Sequence, residues 1–179
     1  PSRFYFIGGS QGGHEALDAA ARYPQDYDGV VAHYPAYNVT MLHFGSLNVG
    51  RSLYADGGAA WINPKKTKLL GDAVYAKCDD LDGAKDGIIS NVAACNAAFD
   101  VKTLRCANGA DTGDTCLSDA QLKAVATFNA EYKPGFAIAG MDTFPRWALL
   151  EGATFTGPSN FGSVPQPSNP LSGKEALLY

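Results

Sequence analysis

A serine set among glycines, a run of closely spaced aspartates and two pairs of cysteines are the groups here that could do chemistry. Gly8-Gly9-Ser10-Gln11-Gly12 fits the pattern Gly-x-Ser-x-Gly. Glycine-rich turns with a serine are common, but the pattern makes a nucleophile where a strand turns sharply into a helix. Serine then takes a strained backbone, its oxygen stands clear, and the glycines let strand and helix approach. The helix N-terminus lies behind it, and the N–H of Gln11 points to where an oxyanion would form. A phosphate cradle would need G-x-x-x-x-G-K-[ST] or G-x-G-x-x-G, and neither occurs here.

A nucleophilic serine needs a base, and in this arrangement the order is serine, then an acid, then histidine. The histidines are His14, His33 and His43. All three fall too early for that order. His14 reads as a packing or capping residue, and His33 and His43 as ordinary polar side chains. The base is expected outside these 179 residues.

The second dense signal is "CDDLDGAKDGIIS", residues 78 to 90. Its four aspartates repel one another unless solvent or a cation takes the charge. Gly83 and Gly87 let the chain curl. Hard oxygen donors at this density suit Ca²⁺. The loop lacks the distal glutamate of an EF-hand, and a solvated acidic turn is the plain alternative.

Cys78, Cys95, Cys106 and Cys116 contain no Cys-x-x-Cys and no Cys/His cluster, which argues against zinc. Four cysteines allow three pairings. Pairing of neighbours closes two short loops, each bridge contributing about 3 kcal/mol, and requires an oxidising compartment. Four reduced, buried cysteines are the alternative.

These groups need elements to hold them. Residues 3–8 read as a buried strand, 12–23 as a helix stopped by Pro24, and 28–34 as a second strand after an Asp-Gly turn. Strand, tight turn, helix and strand in under 40 residues give a right-handed crossover between parallel strands, and an α/β class. After Pro35 the alternation ends. Residues 64–77 form a helix capped by Asn63 with Pro64 at its first position, and 119–132 another capped by Ser118. The rest reads as loop, ending in the Pro/Ser/Gly-rich "TGPSNFGSVPQPSNPLSG". With a net charge of −4 and no basic run, the chain offers nucleic acid or an anionic membrane surface no footprint. No apolar stretch reaches the roughly 18 residues of a membrane span. The chain opens on Pro1 and enters an apolar strand within three residues, which reads as an internal piece of a longer protein.

Three stretches together resemble the tannase and feruloyl esterase family of α/β-hydrolases. They are "GGSQGGHEALDAAARYPQDYDGVVAHYPAYN", "WINPKKTKLLGDAVYAKCDDLDGAKDGIISNVAACN" and "CLSDAQLKAV", close to half the chain. The resemblance implies a piece of hydrolase core with the nucleophile elbow over residues 1–36, then a mostly helical and loop lid over 37–179. It makes Ser10 the nucleophile and Gln11 an oxyanion-hole donor, with the catalytic aspartate and histidine after the lid. It makes the acidic loop a structural calcium site, using the carboxylates of Asp79, Asp82 and Asp86 and the carbonyls of Ala84 and Ile88. It pairs Cys78 with Cys95 and Cys106 with Cys116. Gly9 departs from the family, where a cysteine bridged beside the catalytic histidine is usual, and His14 stands where arginine is frequent.

The expected function is a secreted or periplasmic serine esterase for aromatic carboxylic esters, galloyl, feruloyl, chlorogenate-like or terephthalate. The remainder of the same hydrolase would be its necessary partner, and the isolated chain would be inactive. Tyr54, Trp61, Phe144, Trp147, Phe155 and Phe161 could line an aromatic pocket, though residues of this type mostly build core. The alternative is a calcium-stapled binding or structural module of hydrolase descent without a working triad. An amide or peptide hydrolase would keep the elbow alone.

Overall fold

The computed structural model describes residues 3–153 together with 161 and 164. The chain divides into two compact units, Pro1–His43 and Phe44–Tyr179. The long final loop of the sequence reading, and Phe155, lie outside the described residues apart from those two positions.

The first unit is the expected crossover. Strand β1 (Tyr5–Gly9) leads through Ser10 into helix α1 (Gln11–Arg22), and strand β2 (Gly29–His33) returns parallel to β1. The register pairs Tyr5 with Gly29, Ile7 with Val31 and Gly9 with His33. Asp28 fastens the start of the pair. Its carboxylate accepts the N–H of Phe4 at 2.7 Å, and its own N–H bonds the Phe4 carbonyl at 2.7 Å. Alternation along the strands turns Phe6, Gly8, Val30 and Ala32 to one face and Tyr5, Ile7 and Val31 to the other. Helix α1 buries Gly13, Ala16 and Ala19. Small residues there let it lie close on the strands.

The second unit is helical. Helix α2 (Val39–Tyr54) begins in the first unit and runs into the second. It is followed by α3 (Pro64–Cys78), α4 (Val92–Ala98) and α5 (Asp119–Phe128), with short 3₁₀ turns between. Asn63 caps α3 by accepting the Lys66 N–H, and Pro64 opens the helix, as expected. Ser118 caps α5 and Gln121 returns the bond, completing a capping box. The core packs Leu53, Ile62, Leu70, Val74, Leu117 and Val125, all almost fully buried. Both disulfides join neighbours in sequence, Cys78–Cys95 and Cys106–Cys116. The first fastens the end of α3 to α4.

Two helices depart from the sequence reading. Residues 39–54 and 92–98 read as loop in the sequence and are helical in the structure. In α2, Gly45, Asn48 and Gly50 dilute the helical signal. Its cap is real, because the Asn38 side chain accepts the Met41 N–H at 3.0 Å. Helix α4 is short and capped by Asn91. Helix α5 also ends at Phe128 and not at residue 132, because Tyr132 leaves to pair with Phe144 in an antiparallel bridge.

Candidate active site

Ser10 sits between β1 and α1 with φ 56° and ψ −116°. A non-glycine residue there is strained, costing on the order of 1–3 kcal/mol, and persists only where its surroundings hold it. Three backbone bonds do so. The Ser10 N–H donates to the His33 carbonyl at 3.1 Å, and the Ser10 carbonyl accepts N–H groups from His14 and Ala36, each at 3.1 Å. The turn after β1 is therefore tied to the turn after β2. Tyr34, in that second turn, is itself at φ 34°.

The glycines fit this geometry. A Cβ on Gly8 would lie 2.1 Å from the Gly12 carbonyl oxygen, so the first and last glycines of the motif are in mutual close approach. A Cβ on Gly13 would meet the His33 carbonyl oxygen at 2.6 Å. At Gly9 the nearest group is the phenol of Tyr34, whose hydroxyl oxygen is 2.8 Å from the Cβ position.

Ser10 occupies the N-cap position of α1, but its side chain makes no capping bond. The hydroxyl of an exposed residue is thus left for other work. The first bond of α1 runs from His14 N–H to the Ser10 carbonyl, so Gln11, Gly12 and Gly13 present N–H groups without intrahelical partners. No acidic residue stands in the first turn to offset the positive end of the helix. The arrangement puts a strained, exposed hydroxyl beside amide donors, as nucleophilic attack with oxyanion stabilisation requires.

His14 is committed elsewhere, its Nδ1 donating to the Ala36 carbonyl 3.2 Å away. His33 is exposed at the end of β2, its ring 6.5 Å from that of Tyr34. Nothing local to Tyr34 in the sequence marks it, because its place beside Gly9 comes from the parallel register.

The acidic loop curls as its glycines suggested, with Gly83 at φ 93° and Gly87 at φ 78°. Three of its carboxylates accept backbone N–H groups. Asp79 accepts the Gly87 N–H at 2.8 Å, and Asp86 accepts that of Ile88 at 3.0 Å. Asp82 accepts Ala84 on one oxygen and Ser90 on the other, which holds its carboxyl below the usual carboxylate range. Among the described residues no three His, Cys, Asp or Glu side chains gather closely enough to hold a metal ion. The donor set is all oxygen and suits a hard cation in kind. Asp79 and Asp86 each keep one oxygen outside these bonds.

Of the aromatic residues noted in the sequence, Tyr54 and Phe161 are buried, and burial pushes the Tyr54 phenol up. Trp61 and Trp147 pack against the core. Phe144 stacks at a tilt on Trp147, 5.2 Å between ring centres. No local motif marks Lys66 in the sequence. Its side chain is 1% exposed, and its ammonium donates to Asp111 and Gln121, each at 2.8 Å.

A strand, a strained serine turn, a helix and a parallel strand place the chain among α/β proteins, and its structural neighbours are esterases. The sequence profile of the family described as tannase and feruloyl esterase matches residues 1–176. The chain is 36% identical over 182 residues to an uncharacterized esterase of Agrobacterium fabrum, covering 98% of this chain and 32% of that protein. It is 36% identical over 167 residues to the mono(2-hydroxyethyl) terephthalate hydrolase of Piscinibacter sakaiensis, covering 83% and 27%. The crystal structure of feruloyl esterase B from Aspergillus oryzae superposes with a TM-score of 0.63 at 29% identity, over 81% of this chain and 28% of that one. The chain belongs to the tannase and feruloyl esterase family. It spans about a third or less of the length of these relatives.

Proposed function

We propose that this chain supplies the nucleophile and the lid of a serine esterase acting on aromatic carboxylic esters. The observation that carries the reading is Ser10 itself, a non-glycine residue held at φ 56° with an uncapped hydroxyl at a helix N-terminus. The Ser10 Oγ attacks the ester carbonyl while a histidine takes its proton. The Gln11 N–H and a second N–H hold the oxyanion. The alcohol leaves, and water releases the acid from the acyl-serine. His14 faces the Ala36 carbonyl. The base and its aspartate are therefore assigned to other parts of the hydrolase, without which these residues are inactive.

Calcium belongs to the same proposal. Asp79, Asp82 and Asp86, with the carbonyls of Ala84 and Ile88, would hold a structural Ca²⁺ that neutralises the loop. Asp79 and Asp86 can meet the ion with the oxygen that accepts no backbone N–H, and Asp82 with the remaining lone pairs of its two oxygens. The two disulfides support an oxidising destination, secreted or periplasmic. No described helix is long and apolar enough to cross a membrane.

A fluorophosphonate, which phosphonylates activated serines, tests the nucleophile directly. The full-length parent protein should incorporate one label, mapped by mass spectrometry to the peptide containing Ser10. Folded, calcium-loaded protein that takes no label there would favour the binding module.

A further inference from the structure

Phe44, Leu47, Asn48 and Arg51 stand at i, i+3, i+4 and i+7 along α2, so they form one stripe of that helix. Together with Tyr132 and Phe136 they line a cavity of about 550 Å³ within the second unit. The opposite wall is built and not incidental. Tyr132 and Phe144 exchange backbone bonds of 2.9 and 2.8 Å, which makes the segment a ribbon. That ribbon sits close on α2 because residue 45 is glycine; a Cβ there would lie 2.5 Å from the Phe144 ring. Phe136 then meets Phe44 edge to face, 5.3 Å between centres.

The cavity's charge and its amide come from one end of the stripe. Arg51 lies in the last turn of α2 and is exposed. Each ion pair formed among the described residues uses another cation. Lys133, next to Tyr132, is paired with Glu131 at 3.4 Å. Asn48 is one turn from Arg51 and adds an amide.

We propose that this cavity binds a small aromatic carboxylate. The ring lies among Phe44, Tyr132 and Phe136, the Arg51 guanidinium takes the carboxylate, and the Asn48 amide donates beside it. Aromatic walls select a flat ring over a bare anion such as phosphate. A planar guanidinium matches a carboxylate in charge and in fork geometry, and so selects the acid over a neutral ring. The volume lies in the ordinary range for small-ligand sites. The choice of an aromatic acid as ligand rests on the esterase reading, because such an acid is what an aromatic ester releases. The cavity and its charge do not depend on it.

The test is calorimetric titration of sodium benzoate into the full-length parent carrying Ser10→Ala, with benzamide as the neutral control at matched ionic strength. Saturable benzoate binding is expected, with benzamide weaker. Arg51→Gln should weaken benzoate by about tenfold or more, the loss of one charge-assisted interaction. Phe136→Ala should weaken both ligands, and Arg51→Lys, which keeps the charge but not the fork, should fall between. No saturable binding overturns the proposal, as does benzamide binding as tightly as benzoate, or affinity unmoved by Arg51→Gln. Ester turnover by the Ser10 protein separates this site from the esterase reading. Turnover without benzoate binding removes the site alone. Arg51-dependent binding without turnover removes the esterase alone.

Discussion

Gly8 and Gly9 are neighbours in one motif, but a methyl group added to each meets a different obstacle. At Gly8 it meets the Gly12 carbonyl at 2.1 Å, which is backbone and cannot swing aside. Gly8→Ala should open the turn, lower the thermal midpoint by an amount equivalent to about 2–3 kcal/mol and reduce turnover. At Gly9 it meets the far end of an exposed tyrosine side chain, which can rotate away. Gly9→Ala should cost below about 1 kcal/mol, and thermal denaturation of the two variants side by side checks the contrast. Lys66 makes a different demand. Its buried ammonium is met by Asp111 and Gln121. That hydrogen bond from Lys66 is the main reason the Asp111 carboxyl is held below its usual range. A depressed carboxyl contributes stability above its unfolded value, about 3.9, and loses it as pH falls through the lower folded value. Asp111→Ala leaves the ammonium short of a partner and should cost about 2 kcal/mol at pH 7. That is less than a fully buried pair would cost, because Asp111 is half exposed. The cost should begin to shrink below about pH 4, where the carboxyl of the unfolded wild-type chain takes up its proton, and go on shrinking as pH falls through the lowered folded value, as urea denaturation across pH would show.

The elements divide by how local their causes are. The β1–α1–β2 crossover was legible because every feature that makes it is short-range: an apolar run, a glycine turn, a proline stop, an Asp-Gly turn. The Asn63 and Ser118 caps were legible for the same reason. Helix α2 was not, since glycines inside it mask a periodicity that becomes meaningful only once the Phe144 ribbon lies against Gly45. The pairing of Tyr132 with Phe144, the contact of Tyr34 with Gly9 and the burial of Lys66 are long-range, and no window of the sequence contains them. Ser10 was legible as a candidate; the three backbone bonds that strain it were not. The acidic loop was legible in its composition, which points to Ca²⁺, and the backbone N–H bonds that its carboxylates accept hold its curl. If the loop binds calcium, chelation with EGTA should lower the thermal midpoint of the full-length protein and added Ca²⁺ restore it. Asp82→Asn should abolish that calcium dependence. A midpoint indifferent to both would leave the loop a solvated turn fastened by the Cys78–Cys95 bridge.

On the scale of the molecule, the first unit carries a face that α1 does not cover. Tyr5 is 58% exposed, Ile7 65% and Val31 40%, and the register sets Ile7 beside Val31. Parallel strands ordinarily have both faces covered, so this apolar face calls for a covering layer. The 179 residues expressed alone should bind a hydrophobic dye such as ANS strongly and hydrolyse no ester, whereas the full-length parent should show little dye binding. Equal dye binding by both would mean the face is exposed in the whole enzyme. The central claim, that Ser10 is the nucleophile of an aromatic esterase, is tested most directly by turnover. The full-length parent and its Ser10→Ala variant would be compared on a panel of aryl and cinnamoyl esters, with calcium present. Turnover on at least one aromatic ester that falls to background in the alanine variant is the predicted result. Turnover that survives Ser10→Ala, or a folded parent that turns over no ester, would contradict it.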